Sequence, residues 1–175
     1  MTMERPSVAD QELQLLLEVE VLLGGGRQLQ SGLPTALQTI LQTFAADAIG
    51  IFFGQTAPSL EFDFPTAYGQ TALLRRLTSQ ELAQRQTPTF ITGQPSLIAI
   101  PLSGIQQRYG LLELVYANRP NPPDLNRLTL QLLGRQIGIA LENAEHLAQL
   151  NRQTFELGIL SRVGDSLLTL LSSLQ

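Results

Sequence analysis

The chain has 175 residues, of which 43% are hydrophobic and 15% charged, with a net charge of −4. That is enough apolar material for one packed domain with additional helix, and the composition is not that of a disordered chain. An acidic chain whose cations are all arginine, with no basic stripe, excludes direct nucleic-acid binding; zero cysteines exclude disulfides, a thiolate nucleophile and a thiol-anchored chromophore.

The N-terminus, MTMERPSVADQ, has no basic-then-apolar leader pattern, and no apolar run reaches the ~18 residues of a membrane span. A cytoplasmic location with no direct membrane contact is expected. From Ser7 to Leu23, Val8, Leu15, Val19 and Leu22 recur at helical spacing. Gly24-Gly25-Gly26 then interrupts, costing about 3 kcal/mol against alanine in a helix interior, so a kink or break is expected there for close packing or as a hinge. A second amphipathic helix is expected from Leu33 to Ala46, with Pro34 in its first turn and Leu37, Ile40, Leu41 and Phe44 inward.

The period then changes. AIGIFFG (48–54) reads as a central strand, and SLEFDFP (59–65) alternates as a half-wet edge partner closed by Pro65. Two short helical pieces follow, TALLRRL and SQELAQRQ, the second opening on Ser79 as N-cap. PTFITGQ, SLIAIPL and YGLLELVYA read as three more strands, and Pro122-Pro123-Asp124 punctuates the start of a long helix that Asp124 can cap. Hairpin-length links imply an antiparallel sheet of five or six strands. The fold class is therefore α+β, with helices on one sheet face and long helices at both termini.

AADAIGIFFG, SLIAIPL and YGLLELVYANRPNPPDLNRLTLQLLGRQIGIALENA together resemble a GAF domain, the small-molecule sensing module of signalling proteins. The most specific part is the last helix, where Gln136, Ile137, Ile139, Ala140, Asn143 and Ala144 follow the pattern. The resemblance implies a sensory unit over 28–150, a connector helix over 1–27 and a signalling helix over 151–175, as part of a larger protein such as a sensor histidine kinase. Against the family pattern, only Tyr68 to Gly93 is available as a lid over a pocket, and the Asn-Lys-Phe-Asp-Glu signature of cyclic-nucleotide-binding members is absent. With no cysteine, neither bilin attachment nor the cysteine chemistry of family members that reduce free methionine sulfoxide is open to this chain.

The residues themselves point to little catalysis. His146 with Glu142 and Glu145 supplies too few converging ligands for a metal, and the chain has no ATP-binding domain to phosphorylate it, so a solvent or seam position is expected. Gly24 to Gly26 follow a helix and not a strand, so no phosphate loop is read there. No cofactor is expected. In the strands, Ile49, Ile51 and Phe53 with Ile98, Ile100 and Leu102 make the bulky, helix-packed face. Ala48, Gly50 and Phe52 with Leu97, Ala99 and Pro101 make a smaller face, under Leu73, Leu74 and Leu77, where a cavity or a merely solid core can form. Glu113, read on the face of Tyr109, Leu111 and Val115, meets either a ligand's polar group, a neighbouring arginine or solvent. The expected ligand-binding set is thus Gly50, Phe52, Leu73, Leu77, Ala99, Pro101 and Glu113.

The long helix is expected to pack on the sheet through Leu125, Leu128, Leu132 and Ile137 and to continue into a heptad seam of Leu157, Leu160, Gly164, Leu167, Leu171 and Leu174. Before Leu157 the same register meets Asn143, His146, Leu150 and Gln153, a polar passage that weakens a coiled coil while restricting its register. Sliding EVEVLLGGGRQLQSGLPTAL along the chain sets Glu18 on Glu156, Leu22 on Leu160 and Gly26 on Gly164, as if 157–175 were the entry helix of a following module. The terminal helices are expected to pair with a second copy through Val8, Leu15, Val19 and Leu22. Two functions follow: a ligand sensor that signals through its helices, or a dimerising spacer of the same fold without ligand.

Overall fold

A computed structural model describes residues 8–54, 65–74 and 86–173. The first helix, α1 (Val8–Leu23), ends in a 3-10 turn, Gly24–Gly26, and is followed by α2 (Leu29–Thr43). The triple glycine therefore breaks the helix as its cost predicts, and Gly26 adopts φ +95°. α2 starts a turn earlier than its apolar pattern suggests. Pro34 thus lies inside it, while Leu37 and Ile40 are fully buried and Leu41 packs on the same core.

Five strands follow among the described residues: β1 (Ala48–Phe53), β2 (Ala67–Gly69), β3 (Thr89–Ile91), β4 (Ser96–Ser103) and β5 (Arg108–Tyr116). They form one antiparallel sheet in the order β2-β1-β5-β4-β3. The edge partner of β1 is Ala67–Gly69; the SLEFDFP alternation lies outside the described residues. Thr71–Leu73 is a 3-10 turn, and the rest of the expected helical pieces, with Leu77 and Ser79, lies outside them too.

The last described element is α3 (Arg127–Ser173), 47 residues long, or about 70 Å at 1.5 Å per residue. Its N-cap is Asn126, whose side-chain oxygen accepts the Leu128 N–H at 2.9 Å; Asp124 lies before the helix and does not fill that role. The sheet is covered by Leu130, Leu133, Ile137, Ala140 and Leu141, all essentially buried. Leu128 and Leu132 point outward instead, 62% and 42% exposed. Of the expected contact set, Ile137 and Leu125 do pack on the core, whereas Leu128 and Leu132 do not, because a run of leucines marks a helix without marking its inner face.

α1 and α3 lie side by side and parallel. Thr129 Oγ1 donates to Glu12 Oε2, Gln136 Nε2 donates to the Leu16 carbonyl, and Gly26 sits against Ala140 to Ala144. Leu15 and Val19 are buried in their own chain, and Leu22 packs on the same core. They are therefore not a free stripe awaiting a second copy, and the outward apolar line of α1 is Leu13, Leu17 and Val21. The core built by both terminal helices, α2 and the bulky sheet face contains Ile49, Ile51, Ile98, Ile100 and Leu102, with Phe53 packed against it.

Candidate functional site

Strand alternation sorts the other sheet face. Ala48, Leu97, Ala99, Leu111 and Val115 form a second, smaller buried cluster, with Phe52, Leu73, Leu74 and Ile91 packed on it. Register makes three rows across the middle strands: Ala48–Val115–Leu97, Gly50–Glu113–Ala99 and Phe52–Leu111–Pro101. Glu113 is fully buried between a glycine and an alanine, so its carboxylate stands where neighbouring side chains are smallest. Removing a charge from water costs several kcal/mol unless partners supply hydrogen bonds, which marks this row as a polar point in an apolar surface. Above Gly50 the space is occupied: a Cβ there would stand 2.8 Å from Leu74 Cδ1.

The structure thus brings Gly50, Phe52, Ala99, Pro101 and Glu113 onto one face with Leu73 over it; Leu77 lies outside the described residues. Tyr109 does not join them. A register irregularity between Leu102 and Ser103 and the conformation of Gly110 (φ +152°) reverse the alternation at the start of β5. A side chain at Gly110 would also collide with the Phe52 carbonyl. Tyr109 consequently turns into the helix-covered core, its hydroxyl donating to Glu145 Oε2 at 2.9 Å. Burial, first of all, pushes the Tyr109 phenol up to about 12; its bond from Gln107 opposes this and the Glu145 and Glu142 carboxylates add to it.

On the helix side the polar passage of α3 is only partly a solvated face. Glu142, 2% exposed, accepts the backbone N–H groups of Ile105 and Gln106, the latter at 2.9 Å. Glu145 accepts from Tyr109 and from Gln107 Nε2. Both carboxylates hold the turn between β4 and β5, a use that sequence reading missed. The available signal was Glu142 in an otherwise apolar turn, three residues before Glu145. His146 is exposed, and no cluster of three or more His, Cys, Asp or Glu suited to a metal occurs among the described residues.

Among the described residues open clefts include two on the α3 side, the first of which also touches Pro101. One, of about 300 Å³, is polar and runs between the β4–β5 turn and α3 beside Ser103, Gln131 and Arg135. The other, of about 310 Å³, lies between Gly26, Leu29 and the α3 residues Ala144 and Leu147. Neither includes Gly50, Ala99 or Glu113. No described helix is long and apolar enough to cross a membrane.

The sequence matches no protein-family profile and no curated protein. Solved structures do match. The GAF domain of a candidate sensor histidine kinase from Pseudomonas syringae pv. tomato aligns with a TM-score of 0.63 at 20% identity, over 81% of this chain and 92% of that one. The free methionine-R-sulfoxide reductase of Neisseria meningitidis, in complex with its substrate, aligns with a TM-score of 0.62 at 14% identity, over 84% and 97%. A GAF domain of A. aeolicus in an inactive state aligns with a TM-score of 0.56 at 14% identity, over 78% and 98%. Identities this low speak for the fold alone. An antiparallel five-stranded sheet, helices on one face and these alignments along most of the chain together show that the protein has the GAF-domain fold.

Proposed function

We propose that the chain is a non-catalytic sensory domain that binds a small molecule on the Gly50–Glu113–Ala99 row and passes its occupancy to an output domain through α3. The observation that carries this reading is the buried carboxylate of Glu113, set among the smallest side chains of the inner strands beneath Leu73 and Leu74. An apolar surface with one convergent polar group is the usual lining of a small-ligand site. Similarity to the sensor-kinase GAF domain supports an output of that kind, with the unit over 28–150 between a connector and a signalling helix. Similarity to the reductase does not extend to thiol chemistry, since the chain has no cysteine.

In this reading two copies pair through their terminal helices. Ligand contacts that differ between two arrangements of the covering segment bias the helices, because a ligand shifts an equilibrium only through differential affinity. A second reading, a dimerising spacer without ligand, is favoured by Leu74, which already fills the space over Gly50.

Ligand-observed NMR with a library of small amine, amide and carboxylate fragments separates the two. The sensory reading expects hits whose signals are lost in Ala99→Phe, which places a bulky ring on that row, and weakened in Glu113→Gln. No hit on the wild-type chain, or hits untouched by Ala99→Phe, would reject it in favour of the spacer.

A further inference from the structure

Three contacts in series bind the β4–β5 hairpin to α3 where that helix leaves the sheet. Gly134 and Gly138 let the α3 backbone lie directly on β4: a Cβ on Gly134 would stand 2.3 Å from the Pro101 carbonyl oxygen, and one on Gly138 2.4 Å from that of Ser103. One turn further, Glu142 accepts two consecutive N–H groups of the hairpin turn, Ile105 and Gln106. A Cβ on Gly104 would meet the same carboxylate at 2.6 Å, so the turn closes onto Glu142 without intervening side chain. Glu145 then holds Tyr109 and Gln107, while the Gly104 N–H donates to the Gln107 carbonyl at 2.8 Å and keeps the turn closed. Such charge-assisted bonds to backbone N–H groups are stronger than neutral ones and fix geometry.

The far end of the same strand serves the opposite sheet face. Two and four residues beyond Tyr109, Leu111 and Glu113 belong to the small-residue face, and Gly110 is the point at which β5 changes sides. Glu113, Tyr109 and the turn thus lie in series along β5, and the series ends at two carboxylates on α3.

We propose that Glu142 and Glu145 are the joint through which the sheet sets the position of α3 as it leaves the domain. They act as positioning residues, and Tyr109 is the lever between them and the ligand-side face. This rests on the sensory reading for its purpose, but its test contains no ligand, so the two fail separately.

The test uses amide NMR on the whole chain, with Glu113→Gln as a near-isosteric disturbance of the small face. In the otherwise wild-type chain, Glu113→Gln should move the amide resonances of Ile105, Gln106 and residues 146–153. In a Tyr109→Phe/Glu142→Gln background the same substitution should still move Leu111 to Val115 but leave 146–153 unmoved. Glu142→Gln alone should speed amide exchange at Ile105 and Gln106 by about tenfold or more, the loss of one charge-assisted bond. If the double variant does not fold, Tyr109→Phe alone carries the comparison, and it should at least halve the shifts at 146–153. Shifts at 146–153 that persist undiminished without the joint, or that never arise in the wild-type background, overturn the proposal. Unchanged exchange at Ile105 and Gln106 in Glu142→Gln overturns it as well.

Discussion

Thr129 and Glu12, far apart in sequence, share a buried 2.8 Å hydrogen bond that ties the start of α3 to α1. The same carboxylate lies 3.4 Å from the Asn126 N–H, so one acidic side chain serves both the neighbouring helix and its exposed first turn. Thr129→Val keeps the shape and removes the donor, leaving a buried carboxylate short of a partner. The expected loss is about 1–3 kcal/mol in urea unfolding, and Glu12→Ala should lose at least as much. A change within error in both would show the bond to be incidental.

Glycines separate tight packing from free helix. A Cβ on Gly26 would stand 2.6 Å from the Ala140 carbonyl and 2.9 Å from the Ala144 nitrogen, and the residue also has positive φ. Gly26→Ala must push α3 away, at an expected cost of about 1–3 kcal/mol. Gly158 has nothing within 4 Å, and there the same substitution should stabilise by about 0.5–1 kcal/mol through helix propensity. Thermal melts of the two variants should move in opposite directions.

Alkaline pH reports on Tyr109. In the unfolded chain tyrosine loses its proton near pH 10, whereas in the folded chain the loss waits until about 12. Above pH ~10 the unfolded state therefore binds fewer protons, and stability present below that value is lost as pH rises toward 12. Tyr109→Phe should flatten the fall in unfolding free energy between about pH 10 and about pH 12. A residual slope should remain from Tyr116, which burial also raises. Identical pH profiles for wild type and variant would contradict the buried placement of the phenol.

Association should depend on exposed apolar positions, among them Leu157 and Leu160 of the expected seam, and not on Leu15 and Val19 of α1, which are buried. Leu157 and Leu160 are 67% and 66% exposed on α3, and Leu17 is 57% exposed on α1, whereas Leu15 is buried. Leu157→Glu/Leu160→Glu should reduce the mass seen by light scattering at tens of micromolar and leave the melt nearly unchanged. Leu15→Glu should instead unfold the domain, and Leu17→Glu should not. A wild-type chain that is monomeric at that concentration would remove the dimer from the proposal.

His146, exposed in the polar passage, is expected to be dispensable for folding. His146→Ala should fall within about 1 kcal/mol of wild type. His146→Leu/Gln153→Leu should tighten association by drying the seam. If a His146→Ala variant loses a bound metal or a phosphoryl group, the histidine has a chemical role that its exposed position does not suggest.

Much of the fold was legible in period and punctuation. Alternation in AIGIFFG and SLIAIPL assigned Ile49, Ile51, Ile98 and Ile100 to the helix-covered face, because each strand residue's side is set by its neighbours two positions away. The helix break at Gly24–Gly26 followed from backbone entropy alone. What the sequence could not decide were relations between distant segments. Tyr109 changes sides because β5 slips against β4 at Gly110, which no single-strand pattern encodes. Leu128 and Leu132 face outward because the rotation of α3 is chosen by Gly134 and Gly138 against β4, and not by the density of leucine. Glu12, Glu142 and Glu145 look like surface charges in sequence; only tertiary packing brings them to the N–H and hydroxyl donors that make their burial tolerable.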